Sequence, residues 1–174
     1  YSGSALMRDP QLALSIIQAV VGAVSVPVTV KMRTGWDADS LNAPYLAHEA
    51  EGAGVQMITV HGRTRSQFYR GKADWRFIRQ VKTAVKIPVI VTGDIEPFAA
   101  MHTALELSGC DGVMVGRAAR GRPWLPGHFA QAQATGTMPP APSGEELQRL
   151  VIRHYQEMLD LYGIELGVRM ARKH

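Results

Sequence analysis

The chain has 174 residues, 46% of them hydrophobic, and a formal charge of +4. That length allows one domain with a real core, and that composition excludes a disordered polypeptide. No apolar run is long enough to span a bilayer, and the start, Tyr1-Ser-Gly-Ser, does not read as a secretory leader.

The start also lacks an initiator Met, as expected of a chain that begins inside a longer protein. The single cysteine, Cys110, excludes an internal disulfide framework and fits a reducing compartment, so a cytoplasmic location is expected. Basic residues gather in three places: Arg63, Arg65, Arg70 and Lys72; Arg117, Arg120 and Arg122; Arg169, Arg172 and Lys173. Each cluster is either an anion-binding face or a solvated surface.

Taken in chain order, strand and helix alternate. Asp9-Pro10 starts a helix as N-cap and first-turn proline, and Leu12, Ile16, Ile17, Val20 and Val21 mark its buried face. Pro27 ends that helix, and Val28-Thr-Val30 reads as a strand. Ser40 starts a second helix with Leu46, Ala47, Ala50 and Ala53 on one side, ended by Gly54. A strand over Gln56–Val60 leads into a long loop from His61 to Ala73. Asp74 caps a third helix through Phe77, Ile78, Val81 and Val85. Pro88 introduces the strand Val89–Val91, and Glu96-Pro97 opens a fourth helix through Phe98, Met101, Ala104 and Leu105, ended by Gly109. The strand Gly112–Val115 follows. All four strands look apolar throughout, as strands buried on both faces do, and helical crossovers of this length imply parallel pairing.

Beyond residue 135 the composition changes. Thr137-Met-Pro-Pro-Ala-Pro142 resembles a linker, and Ser143 with Glu146 forms a capping box. Leu147, Leu150, Val151, His154, Met158 and Leu161 mark an amphipathic helix, Gly163 ends it, and another helix starts near Glu165. Four βα units make half of a (β/α)8 TIM barrel, which typically takes about 250 residues. The alternative, an open doubly wound sheet, lacks a glycine-rich dinucleotide fingerprint after the first strand. The expected architecture is therefore α/β: the C-terminal half of a TIM barrel over residues 1–135, a linker over 136–142, and part of an α-helical domain over 143–174.

In such barrels chemistry gathers where strands end. At Val30-Lys-Met-Arg33, Lys31 either reaches into the barrel mouth to bind an electron-rich carbonyl or snorkels out of it. At Val60-His-Gly-Arg-Thr-Arg65, His61 is either a donor, acid or base, or a structural histidine. Val91-Thr-Gly-Asp-Ile95 and Val115-Gly-Arg-Ala118 put glycines at strand ends, where backbone N–H groups can approach a phosphate. The loop Gln67–Trp75 mixes rings with basic residues, which suits nucleic acid; alternatively Trp75 and Phe77 pack while the charges stay solvated. Cys110, just before a strand, lies at the barrel end opposite the chemistry and reads as structural, and no metal-ligand cluster is apparent.

Several stretches together resemble the tRNA-dihydrouridine synthase family, in particular its bacterial B-type, nitrogen-regulation-protein-like branch. They are Gly3-Ser-Ala-Leu-Met, Val30-Lys-Met-Arg33, Val60-His-Gly-Arg-Thr-Arg65, Ala73-Asp-Trp75, Gly93-Asp-Ile95, Gly112-Val-Met-Val-Gly-Arg117, Arg122-Pro-Trp124 and Gly167-Val-Arg-Met-Ala-Arg-Lys-His174. The resemblance covers nearly the whole chain. It implies an FMN-dependent flavoenzyme, with NADPH as reductant, that reduces uridines of tRNA to 5,6-dihydrouridine: hydride goes to C6 of a flipped-out uracil and a cysteine protonates C5. By resemblance, Lys31 contacts the flavin ring, His61 lies beside it, and Thr92, Gly93, Asp94, Gly116 and Arg117 hold the FMN phosphate. Arg33 orients ring or base, and Arg63, Arg65, Arg70, Lys72 and Arg122 face tRNA.

Two departures stand out. Thr92 replaces the family's usual Asn, which keeps backbone donation but loses an amide contact. The family's catalytic cysteine belongs to a motif upstream of Gly3-Ser-Ala-Leu, so no catalytic residue is expected in this chain and the general-acid cysteine is expected upstream of Tyr1. The isolated piece is expected to be inactive, with sheet edges that invite self-association, and the full-length protein to be monomeric and not membrane-bound. Competing expectations are a small-substrate flavoenzyme of dihydroorotate dehydrogenase type and a non-catalytic RNA-binding regulator.

Overall fold

The computed structural model describes residues 3–172; Tyr1, Ser2, Lys173 of the last basic cluster and His174 of the last motif lie outside them. The chain divides into two compact units, Tyr1–Arg117 and Ala118–His174. The first is a four-stranded parallel sheet, β1 (Thr29–Arg33), β2 (Met57–His61), β3 (Val89–Thr92) and β4 (Gly112–Met114), in the order β1-β2-β3-β4. Its helices are α1 (Pro10–Ala23), α2 (Ala43–Gly52), α3 (Trp75–Ala84) and α4 (Phe98–Ser108), after a 3-10 turn over Gly3–Arg8. Sequential parallel strands with one helix between each pair are the repeating unit of a barrel wall, so the unit is a partial TIM barrel.

The two faces of the sheet differ. Met32, Ile58, Val60, Val89 and Val91 are buried on the helix side. The other face carries Lys31 and Arg33, Thr59 and His61, Thr92 and Met114, with Met114 37% exposed. The expectation of strands buried on both faces therefore fails for β1 and β4: side chains alternate between faces, and one face of each is polar or open.

Local signals hold in most places. Asp9 accepts the Leu12 N–H at 3.0 Å and Asp74 accepts the Phe77 N–H at 2.9 Å, so both caps form as read. Gly109 ends α4 at φ 67°, a conformation that glycine adopts without a Cβ clash. Two expectations are corrected. Ser40 does not start α2; Asn42 does, and the Ser40 hydroxyl instead donates to Asp37 Oδ1 at 2.6 Å. The expected buried face of α1 is also misplaced. Leu12, Ile16 and Val20 are exposed, while Ala13 is buried and Leu14, Ile17 and Val21 are partly covered. Because α1 is apolar nearly all round, periodicity could not choose its inner face.

In the second unit, α5 (Leu125–Thr135) is a helix the sequence reading missed, with Pro126 in its first turn and Gly136 as a left-handed cap. The long helix α6 (Gly144–Ala171) is broken at Gly163 (φ 74°, ψ 167°), where the sequence reading ended one helix before starting the next. Its Ser143–Glu146 capping box is formed in both directions. Gly167 lies against Met158, where a Cβ would come within 2.9 Å of the Met158 carbonyl oxygen.

Candidate functional site at the strand ends

Strand register sets out the site. Arg33 pairs with His61, His61 with Thr92, and Thr92 with Met114, so one residue from each strand stands in a single row at the C-terminal edge. Lys31 lies one step below Arg33 on the same face, opposite Thr59. Beyond the row, the loops after β1 and β2 stay joined: the Thr34 N–H donates to Arg63 O, Arg65 N–H to Gly35 O and Ser66 N–H to Trp36 O.

His61 is 8% exposed. Its pKa is pushed down to about 4, first by burial and then by the positive charges of Arg33, Lys31 and Arg63, against an opposing pull from Asp94. The imidazole is thus neutral at pH 7. It is held from behind by Gly93, where a Cβ would meet His61 Cδ2 at 2.7 Å and Ala73 Cβ at 2.9 Å. Gly93 has φ 112°, so glycine is required there for both space and backbone. Trp75, read as structural, donates its indole N–H to Gly93 O at 2.9 Å and so anchors that turn. The Lys31 pKa is lowered, chiefly by desolvation and secondarily by Arg33.

Asp94 is the hub between loops. Its Oδ2 accepts from the Ala73 N–H at 2.8 Å and from Arg63 Nη2 at 2.6 Å, and its Oδ1 pairs with Arg117 Nη2 at 3.4 Å. Burial pushes its pKa up, but the Ala73 N–H and the Arg63 and Arg117 guanidiniums outweigh this and hold it below the usual carboxylate range. Like Gly93 before it, Asp94 has a positive φ, 57°, which Asp tolerates better than most residues. Arg117 reaches across to Tyr69, with its guanidinium 4.7 Å from the ring centre, and Arg33 lies 5.7 Å from the same ring. The Tyr69 ring centre is 6.3 Å from that of His61.

The predicted site residues therefore divide. Lys31, Arg33, His61, Thr92, Gly93, Asp94 and Arg117 come together around the strand-end row. The Thr92 hydroxyl is occupied, donating to Met114 O at 2.8 Å. Arg33 Nη1 donates to the carbonyls of Thr64 and Phe68, both at 2.8 Å, and so clamps the β2–α3 loop. Gly116 opens onto space, with no atom within 4 Å of an added Cβ. Arg70 and Lys72 are exposed on the loop, Arg65 is half-buried, and Arg122 is exposed in the second unit.

Arg63 does not face outward with them. It is 2% exposed, donates to the carbonyls of Arg70 and Gly71 as well as to Asp94, and keeps Nη1 buried without a partner among the described residues. Tyr69 and Trp36 were not singled out in the sequence. The available signal was rings set among arginines. A cavity of about 490 Å³ opens between the β1–α2 and β2–α3 loops, and of the predicted site residues only Arg70 lines it.

No helix among the described residues is long and apolar enough to cross a membrane. The model of the dihydrouridine synthase (Dus) family matches residues 1–174. A probable tRNA-dihydrouridine synthase of Rickettsia bellii is 59% identical over 174 residues, covering 100% of this chain and 53% of that protein. One of Rhodobacter capsulatus is 54% identical over 173 residues, 99% of this chain and 53% of that protein. tRNA-dihydrouridine synthase B of Xanthomonas axonopodis pv. citri is 47% identical over 174 residues, 100% of this chain and 52% of that protein. The chain spans about half the length of the curated relatives it matches. With the family model matched from end to end and the family's strand-end motifs gathered in one row, the chain belongs to the dihydrouridine synthase family.

Proposed function

We propose that this chain is the cofactor-holding part of a tRNA-dihydrouridine synthase, an FMN-dependent oxidoreductase that uses NADPH to reduce particular uridines of tRNA. The observation that carries this reading is the row itself: Lys31, Arg33 and a neutral His61 converge on one open strand end, with Arg117 beside it. The names of the relatives support the tRNA substrate and the reduction.

The residues fit FMN. A phosphate needs cations and close backbone approach. Arg117 is 59% exposed, and Gly116 beside it leaves room. An electron-rich ring needs positive charge along one edge, which Lys31 and Arg33 supply. Bound there, FMN would supply hydride-transfer chemistry between NADPH and the uracil. Lys31, its ammonium partly desolvated, would stabilise negative charge on the ring. The neutral His61 offers one ring nitrogen as donor without adding charge. Asp94 would repel a phosphate directly, so its contribution is to align Arg117 and to fix the Gly93 turn. Arg33 holds the β2–α3 loop over the row.

The proton for C5 does not come from Cys110. That thiol is buried before β4, at the opposite edge of the sheet, and burial pushes its pKa up. In this reading a cysteine outside these residues delivers it. Arg65, Arg70, Lys72 and Arg122 meet tRNA phosphates. The division into a barrel part (1–135), a linker (136–142) and the start of a helical tRNA-binding part (143–174) belongs to the same proposal, as does a cytoplasmic location.

The test is direct. The whole protein is purified, its flavin content is read by absorbance, and unmodified tRNA is incubated with it and NADPH. Bound FMN and dihydrouridine formation are expected, with flavin occupancy reduced by Lys31→Ala or Arg117→Ala. Protein that binds no flavin and leaves tRNA unreduced refutes the reading.

A further inference from the structure

One surface of the loops serves neither the core nor the strand-end row. Trp36, in the β1–α2 loop, has the Arg8 guanidinium 4.9 Å from its ring centre and the Arg65 guanidinium 5.4 Å from it. Arg65 also lies 4.2 Å from the ring centre of Phe68. The four side chains alternate: cation, ring, cation, ring. Among the described residues neither arginine has a carboxylate partner, so their charges remain available for an outside anion. The acids adjacent in sequence are turned back on their own backbone: Asp37 accepts from Ser40 Oγ and the Asp39 N–H, and Asp9, next to Arg8, accepts from the Leu12 N–H.

Phe68 is the informative member. It is 51% exposed, yet it has φ 53°, a left-handed backbone that a bulky side chain rarely adopts. The ring buries too little to account for that strain by packing, so the strain points to what the ring does outside. The conformation is enforced. The Phe68 N–H donates to Arg65 O at 3.2 Å, and Arg33 donates to Phe68 O at 2.8 Å. The bonds from Arg65 N–H to Gly35 O (2.9 Å) and from Ser66 N–H to Trp36 O (2.8 Å) fix the other rungs. An exposed ring and a half-buried one, interleaved with guanidiniums on a fixed backbone, match an unpaired nucleobase flanked by phosphates better than an acidic peptide, which needs no rings.

We propose that Arg8, Trp36, Arg65 and Phe68 form a stacking platform that docks an unpaired base of the RNA substrate beside, and separate from, the strand-end row. This rests on the reading of tRNA as the partner. Phe68 presents a ring face, and Arg65 and Arg8 meet the neighbouring phosphates. Arg33 acts as a positioning residue for the platform through the Phe68 carbonyl.

The experiment uses the whole protein, an unmodified tRNA transcript, and heparin as a polyanion without bases. Phe68→Asn removes the ring but tolerates the left-handed backbone; Phe68→Tyr restores a ring. The expected result is a tRNA Kd raised about fivefold or more by Phe68→Asn and returned to within about twofold by Phe68→Tyr, with heparin binding and melting temperature unchanged. Arg65→Gln is expected to weaken both ligands and to lower the salt slope of tRNA binding by about one. If wild type binds and reduces tRNA while Phe68→Asn leaves its Kd within about twofold, the platform is overturned and the proposed function stands. If poly-glutamate binding is lost in Phe68→Asn and tRNA binding is not, the surface belongs to an acidic protein and the platform is again overturned. Wild type that binds no tRNA sinks both readings together.

Discussion

His61 is buried among positive charges, and that makes its protonation a measurable load on the fold. Its pKa falls from 6.5 to about 4 in the folded chain. At 1.36 kcal/mol for each pH unit, the difference amounts to roughly 3 kcal/mol. The sign follows from which state takes the proton. Above pH 6.5 the imidazole is neutral in both states and contributes no pH dependence. Between 6.5 and about 4 the unfolded chain binds a proton that the folded chain refuses, so stability declines as pH falls. Below about 4 both states are protonated and the loss levels off. The groups that set this are Arg33, Lys31 and Arg63, which lower the pKa, and Asp94, which raises it. Urea unfolding of wild type and His61→Gln between pH 7 and pH 4.5, without added flavin, isolates the effect, because the other five of the six histidines are common to both. At pH 4.5 the wild type is expected to have lost about 2–3 kcal/mol more than the variant. NMR of the imidazole should show His61 still neutral at pH 5, and Arg33→Gln should move its titration upward. A folded His61 that titrates near 6.5, or equal pH slopes in the two proteins, would refute the reasoning.

Two further outcomes follow from the geometry. Gly93→Ala places a Cβ 2.7 Å from His61 Cδ2 on a backbone at φ 112°; it is expected to destabilise by roughly 1–3 kcal/mol in denaturant and to shift the His61 NMR signals, and unchanged stability and shifts would refute the close contact. Arg63→Met removes the bonds to Arg70 O, Gly71 O and Asp94, and a loss of about 3 kcal/mol is expected at pH 7, because a partly buried carboxylate is left short of its partner. The Arg63→Met penalty should shrink in acid: the depressed Asp94 pKa contributes stability above its unfolded value that is lost as pH falls through the folded one, and the variant has less to lose.

Much of the fold was legible because its signals are local. Asp9, Asp74 and the Ser143–Glu146 pair each bond to a backbone N–H three residues away, and Gly109 needs only its own φ. Strand order followed from the regular spacing of βα units. Helix α5 was missed although its start and stop signals are local too: Pro126 falls in the first turn, where the missing N–H costs nothing, and Gly136 closes it. The inner face of α1 was misread because nearly every face of that helix is apolar, and its packing against α2 and the 3-10 turn decides which one is covered.

The placement of the row was most legible along the strands. Period-two alternation from Lys31 to Arg33, and the parallel register to His61 and Thr92, put those residues on one face as soon as the strands were placed. The loops obey no such period. Arg63 lies two positions from Arg65 and shares its charge, yet one guanidinium is sealed inside the loop and the other stacks on Trp36 and Phe68. What separates them is Asp94, thirty-one residues away, which offers Arg63 a carboxylate and the Ala73 N–H an acceptor at the same oxygen. Burying a guanidinium is tolerable only with such a partner. A cluster of arginines in sequence therefore says how much charge a loop carries, while the carboxylate on the neighbouring strand end decides which arginine stays inside to hold the loop and which remain outside to meet a ligand.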